Sequence, residues 1–133
     1  MQDSIEKPST HSKFSVKARL KSFYYAGKGL RNLVQDEHNS WIHLAASITV
    51  VATGLVLQIP MRDWRWIVAA IATVWVAEAF NTAIEELCDR ITPQFDEVIG
   101  RVKDLAAGGV LIASVAAAII GLLTFMPYLR EAF

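Results

Sequence analysis

The chain has little of what several familiar protein classes require. There is one cysteine, Cys88, in 133 residues. An intrachain disulfide and a zinc site built on several thiolates are therefore excluded. Thirteen basic residues balance 13 acidic ones, so no global field points to nucleic acid. No segment of 20–50 residues repeats, which argues against a solenoid or propeller. No G-x-x-x-x-G-K-[ST] loop is present, and Gly27-Lys28-Gly29 does not supply one. The protein-kinase signatures are also missing. Any nucleotide chemistry in this chain needs a site of another design. Residues 1–13, MQDSIEKPSTHSK, hold no apolar stretch ahead of a cleavage site, so they predict a disordered tail and not a signal peptide.

What the chain does have is apolar length. Hydrophobic residues make up 53% and the mean hydropathy is +0.34, ordinary values for a small membrane protein. Trp41 to Met61 and Leu105 to Leu129 contain no Asp, Glu, Lys or Arg. Between them, Trp64 to Ile84 is apolar except for Arg65, Glu78 and uncharged polar residues. About 20 residues at about 1.5 Å each cross the hydrocarbon of a bilayer. The reading is an all-α membrane protein with spans at about 41–61, 64–86 and 105–129, forming one integral-membrane domain over 14–133. Gln58 to Asp63 reads as a short turn between the first two spans. Trp41, Trp64, Trp66 and Tyr128 fall at span ends, where aromatic belts sit.

Ahead of the first span, Val16, Leu20, Phe23, Gly27, Leu30 and Val34 share one side of a helix, and Lys17, Lys21, Lys28 and Arg31 share another. That pattern predicts an amphipathic helix over about 14–37, lying in the membrane surface. Seven basic residues precede Trp41, two lie in the first loop, three between Arg90 and Lys103, and one at Arg130. The positive-inside rule then puts the N-terminus and the 86–104 loop in the cytoplasm.

Glu78 is the residue that carries chemistry. It follows twelve uncharged, largely apolar residues from Trp66 to Ala77. A carboxylate at that depth costs about 2.5–3.5 kcal/mol on insertion scales, so an intramembrane acid is a functional candidate by default. Asn81 or Thr82, Glu85 and Asp89 follow it at helical spacing, so one ridge of polar groups runs from the bilayer to its cytoplasmic surface. Glu37, before the first span, and Lys103 with Asp104, before the third, reach the same level. Carboxylates there suit Mg2+, a lysine suits phosphates, and a deeper acid suits a general base. Together they fit phosphoryl transfer to an acceptor presented from the membrane. Each group also has a plainer reading. Glu85, Glu86 and Asp89 fit a solvated helix end, Lys103 and Asp104 fit interfacial anchors, and Asn81 and Thr82 fit interhelical hydrogen bonding. His38 and His43, flanking Trp41, read as interfacial residues. The alternative function is a small proton-coupled transporter with Glu78 as the proton carrier.

The string Glu78-Ala-Phe-Asn81-Thr-Ala-Ile-Glu85-Glu-Leu-Cys-Asp89-Arg90 resembles the signature of the bacterial membrane diacylglycerol kinase and undecaprenol kinase family. Lys28-Gly29-Leu30-Arg31, followed by Glu37, and Lys103-Asp104, followed by Leu-Ala-Ala-Gly-Gly, match at the right separations. The resemblance covers roughly residues 14–126. It implies three transmembrane helices and a surface helix, assembled as a homotrimer with active sites between neighbouring subunits, in the bacterial inner membrane. It implies an ATP-dependent lipid kinase acting on a membrane lipid alcohol. Glu78 would take the proton from the lipid hydroxyl, and Glu37 and Glu85 would hold the divalent metal that accompanies ATP. Tyr25, Asn81, Asp89, Lys103 and Asp104 would belong to the ATP site. So would Gln94 and Asp96, although the family commonly shows an acidic–aromatic–His run where this chain reads Gln94-Phe95-Asp96. Arg19, Lys28 and Arg31 of the surface helix would help hold the lipid.

Overall fold

The computed structural model describes residues 15–36, 38–92, 94 and 96–132. These form four α-helices and no strand: α1 (Val16–Asp36), α2 (His38–Val56), α3 (Met61–Ile91) and α4 (Glu97–Ala132). The tail expected at 1–13 lies outside the described residues. α2, α3 and α4 are each long and apolar enough to cross a membrane. α3, with 31 residues, is about 46 Å long, and α4, with 36, about 54 Å. Both exceed the roughly 30 Å of a hydrocarbon core, so part of each extends beyond it.

The helix bounds differ from the hydropathy reading in two places. α2 begins at His38 and ends at Val56, and Met61 to Asp63 already belong to α3. The expected 86–104 loop is mostly helix: residues 86–91 finish α3 and 97–104 begin α4. The physical reason is that charge ends a hydrophobic run without ending a helix. Helices end where backbone chemistry ends them. Thr92, which precedes a proline in the sequence, is extended (φ −138°, ψ 95°), as the pre-proline clash favours. At the start of α4, Asp96 Oδ1 accepts the backbone N–H groups of Val98 (2.8 Å) and Ile99 (3.0 Å), an N-cap.

α3 is the central helix. Its buried residues Ile67, Ala70, Val74, Glu78 and Asn81 recur every three or four positions, and Thr82 and Cys88 extend the same side. α4 packs along most of its length and α2 crosses its other flank, while α1 touches both α2 and α3. Two antiparallel registers result. Between α3 and α4, the Tyr128 hydroxyl donates to Asp63 at one end, Ile67 and Phe125 share a core cluster with Ile59, and Lys103 Nζ donates to Asp89 at 2.8 Å at the other end. Between α2 and α3, Gly54 lets the Trp64 ring close in, since a Cβ there would stand 2.9 Å from it. Trp75 Nε1 donates to Ser47 Oγ at 3.1 Å. Most large apolar side chains on the outer faces, such as Phe80, Leu111, Ile112 and Leu123, are exposed. That is how lipid-facing surfaces of membrane helices look when no bilayer surrounds them.

The α2–α3 turn is a Schellman closure. Ile59 N donates to Gly54 O (3.1 Å) and Gln58 N to Leu55 O (3.2 Å), with Gln58 at φ 51° in the position usually held by glycine. A side chain in that region costs about 1 kcal/mol, partly offset by the greater freedom glycine has when unfolded. Gln58→Gly is expected to stabilise the protein by about 0.5–1 kcal/mol, read as a higher thermal midpoint in detergent micelles with activity retained.

Candidate active site

The site is built on the middle of α3, where two neighbouring helices cover it. Glu78 is 1% exposed, Asn81 6% and Thr82 7%. On α2 the residues turned toward this stretch are Ser40, which is fully buried, His43 and Ser47, at spacing that keeps them on one face. His43 Nε2 stands 3.6 Å from Glu78 Oε2, with the histidine side chain 16% exposed. That separation is within ion-pair reach and just beyond a direct hydrogen bond. One turn further along, Ser47 Oγ donates to the His43 carbonyl at 2.7 Å while accepting the Trp75 indole N–H. The α2–α3 seam is therefore polar over two successive turns, Ser47 with Trp75 and His43 with Glu78, and Ser40 is buried one turn before His43 on α2. Among the described residues, three side-chain atoms in this region, Ser40 Oγ, Asn81 Oδ1 and Thr82 Oγ1, are buried with no hydrogen-bond partner. Each such atom costs about 1–3 kcal/mol, and native structures hold few of them without a functional reason.

From Glu78 the ridge predicted from the sequence continues toward the end of α3. Glu85 is half-buried and Asp89 exposed. Asp89 is paired with Lys103 across the α3–α4 hairpin at 2.8 Å, and Glu85 adds its negative field at the same ammonium group. Asp89 and Lys103 thus meet at one end of the hairpin, with Glu85 one helical turn nearer to Glu78 on α3. Asp104, next on α4, is exposed. On the α4 side, Asn81 lines a cleft of about 350 Å3 with Ala106 and Gly109 among its walls. A second cleft of about 510 Å3 lies between α2, α3 and α4, lined by His43, Phe125 and mostly apolar side chains.

The remaining expected residues lie elsewhere. Gln94 is exposed. Asp96 directs a carboxylate oxygen to the first backbone N–H groups of α4, so its observed work is capping. Tyr25, Lys28, Arg31 and Arg19 are exposed on α1. Tyr25 meets Tyr24 edge to face at 5.6 Å, and the Lys21 ammonium lies 5.7 Å from the Tyr25 ring centre. Glu37 lies outside the described residues. Among the described residues, no three His, Cys, Asp or Glu side chains are gathered closely enough to hold a metal.

The sequence reading set His43 at the interface beside Trp41 and did not bring it to Glu78, whose Oε2 lies 3.6 Å from His43 Nε2. The available signal was Ser40, His43 and Ser47, polar at three successive helical returns within an otherwise apolar span.

Comparison with known proteins gives the chain's relatives. A family profile described as prokaryotic diacylglycerol kinase matches residues 24–125. An undecaprenol kinase of Bacillus subtilis is 37% identical over 110 residues, covering 83% of this chain and 89% of that protein. A diacylglycerol kinase of Escherichia coli K12 is 30% identical over 100 residues, 75% of this chain and 82% of that protein. A diacylglycerol kinase of Synechocystis is 30% identical over 109 residues, 81% of this chain and 62% of that protein.

The capping geometry at Asp96 yields a test. Asp96→Ala is expected to lower stability by about 1 kcal/mol, and Asp96→Asn to lower it much less, because asparagine caps nearly as well. Thermal unfolding in micelles measures both. If capping is the whole role of Asp96, the Km for ATP stays unchanged in the asparagine variant.

Proposed function

Starting from the fact that the chain belongs to the prokaryotic diacylglycerol kinase family and is a membrane lipid kinase, we propose the following reaction and site. The enzyme transfers the γ-phosphate of ATP to the hydroxyl of diacylglycerol or undecaprenol at the cytoplasmic face of the bacterial inner membrane. The 37% identity to an undecaprenol kinase, against 30% to the diacylglycerol kinases, supports undecaprenol as the preferred acceptor. The distribution of basic residues supports a cytoplasmic N-terminus, with the α3–α4 hairpin end on the same side. Assembly as a homotrimer rests on the family resemblance.

The observation that carries this reading is a fully buried carboxylate at the head of a polar ridge. The ridge ends in a carboxylate–lysine cluster beyond the apolar region. Glu78, on the apolar side, accepts the proton as the lipid hydroxyl oxygen bonds to the γ-phosphorus. The bond from that phosphorus to the bridging oxygen breaks, and ADP leaves. Lys103, held by Asp89, adds positive charge where phosphate oxygens gather. Asn81 brings a buried amide oxygen with no hydrogen-bond partner among the described residues to the same side of the helix. Glu85 and Glu37 would hold Mg2+, a hard cation matched to their oxygen donors, which when bound neutralises phosphate charge. Depth separates the two halves of the site: the lipid side is apolar and the nucleotide side is charged, so each substrate meets its own solvent.

The transporter alternative gains no support from the family. It also leaves the cluster of Glu85, Asp89 and Lys103 without a task.

Glu78→Gln is expected to lower kcat by about 10^2–10^4-fold, the usual contribution of a positioned base, while ATP binding measured by calorimetry persists. Turnover near wild type would refute this base. In mixed micelles offering both lipids, labelled phosphate is expected to appear mainly on undecaprenol. Preferential labelling of diacylglycerol would reverse the acceptor assignment.

A further inference from the structure

We propose that His43 is a positioning residue that holds the Glu78 carboxylate in its working orientation, so that α2 is part of the catalytic apparatus as well as a membrane span. The inference rests on the reading of Glu78 as the base. Its motivation is the contact between His43 Nε2 and Glu78 Oε2 at 3.6 Å, with the acid 1% and the histidine 16% exposed along their side chains or residues.

A glutamate has three side-chain torsions, and fixing them has an entropic cost that packing alone meets poorly when the group is polar. A polar ring nitrogen 3.6 Å from Oε2 gives that oxygen a fixed neighbour and so limits the orientations open to the carboxylate. The histidine is itself held. Its backbone carbonyl accepts the Ser47 hydroxyl at 2.7 Å, and that hydroxyl accepts the Trp75 indole N–H at 3.1 Å. Trp75 lies one turn before Glu78 on α3, so α3 fixes α2 at the level where α2 returns a polar group to α3. This is the arrangement of a base oriented by a third group, formed between two antiparallel helices. His43 also lines the apolar cleft of about 510 Å3.

A packing role and a positioning role make opposite demands on the replacement. Leucine fills much of the imidazole volume without polarity, whereas glutamine keeps a side-chain N–H donor. His43→Leu is expected to lower kcat per folded enzyme about 10–100-fold, the scale associated with misplacing a catalytic group by about an ångström. The Km for ATP should stay within about twofold. His43→Gln is expected to recover most of the loss. The reverse order, leucine active and glutamine impaired, would make His43 a packing residue and overturn the proposal, as would equal activity in all three proteins.

A readout independent of turnover comes from imidazole 15N NMR of the full chain in micelles. The chain has only three histidines, so the His43 signal is assigned by its loss in His43→Gln. At fixed pH that signal is expected to shift in Glu78→Gln, and an unmoved signal would also overturn the proposal. Failure here is separable from failure of the base assignment. If Glu78→Gln turns over normally, the base is wrong whatever His43 does. If Glu78→Gln is inactive and His43→Leu is normal, only the positioning role falls.

Discussion

The burial of one carboxylate between two apolar helices is the constraint from which the rest of this structure follows. Glu78 is almost wholly removed from solvent, in a segment whose neighbours are Val74, Ala77 and Phe80. A bilayer interior supplies no water to such a group, so the protein must supply its surroundings. It does so by making α3 central and giving it a polar seam against α2. His43 stands opposite the acid, and Ser47 and Trp75 are tied one turn away. Among the described residues, the side-chain oxygens of Ser40, Asn81 and Thr82 are buried with no hydrogen-bond partner.

The α3–α4 hairpin solves a different problem. Phosphate chemistry needs charge, and charge is expensive in hydrocarbon. Helices longer than the bilayer is thick carry the polar ridge out of it without a break. Regular backbone hydrogen bonding continues from the apolar depth to the charged end. The hairpin is clasped at both ends, by Asp63 with Tyr128 and by Asp89 with Lys103. A constant register between such clasps fixes how far Lys103 stands from Glu78. Glu78 and Lys103 are thus held on one pair of packed helices and not on loops, which favours precise placement.

α1 is attached more loosely. Its Val16, Leu20, Phe23 and Leu30 side chains are exposed, although they form the apolar side of an amphipathic helix. Their natural neighbours are lipid or another copy of the chain. Tyr25, Lys28 and Arg31, also on α1, are exposed.

Much of this was legible before folding. Three apolar runs, the surface helix and the periodicity of Glu78, Asn81, Glu85 and Asp89 are local properties, because a helix places residues three and four apart on one side whatever it packs against. The pairing of Asp89 with Lys103 was foreseen only as a shared depth. Helix ends were not legible from charge: 86–104 read as a loop because hydropathy reports where a chain leaves lipid, while capping by Asp96 and the backbone at Thr92 decide where helices stop. By itself the sequence determined the membrane class, the acid-bearing helix and the polar ridge. Only the tertiary structure decided that His43 faces Glu78, because that contact depends on how α2 and α3 are rotated and registered against each other. Such a rotation is fixed by long-range packing, such as Trp64 against Gly54, which no local period encodes.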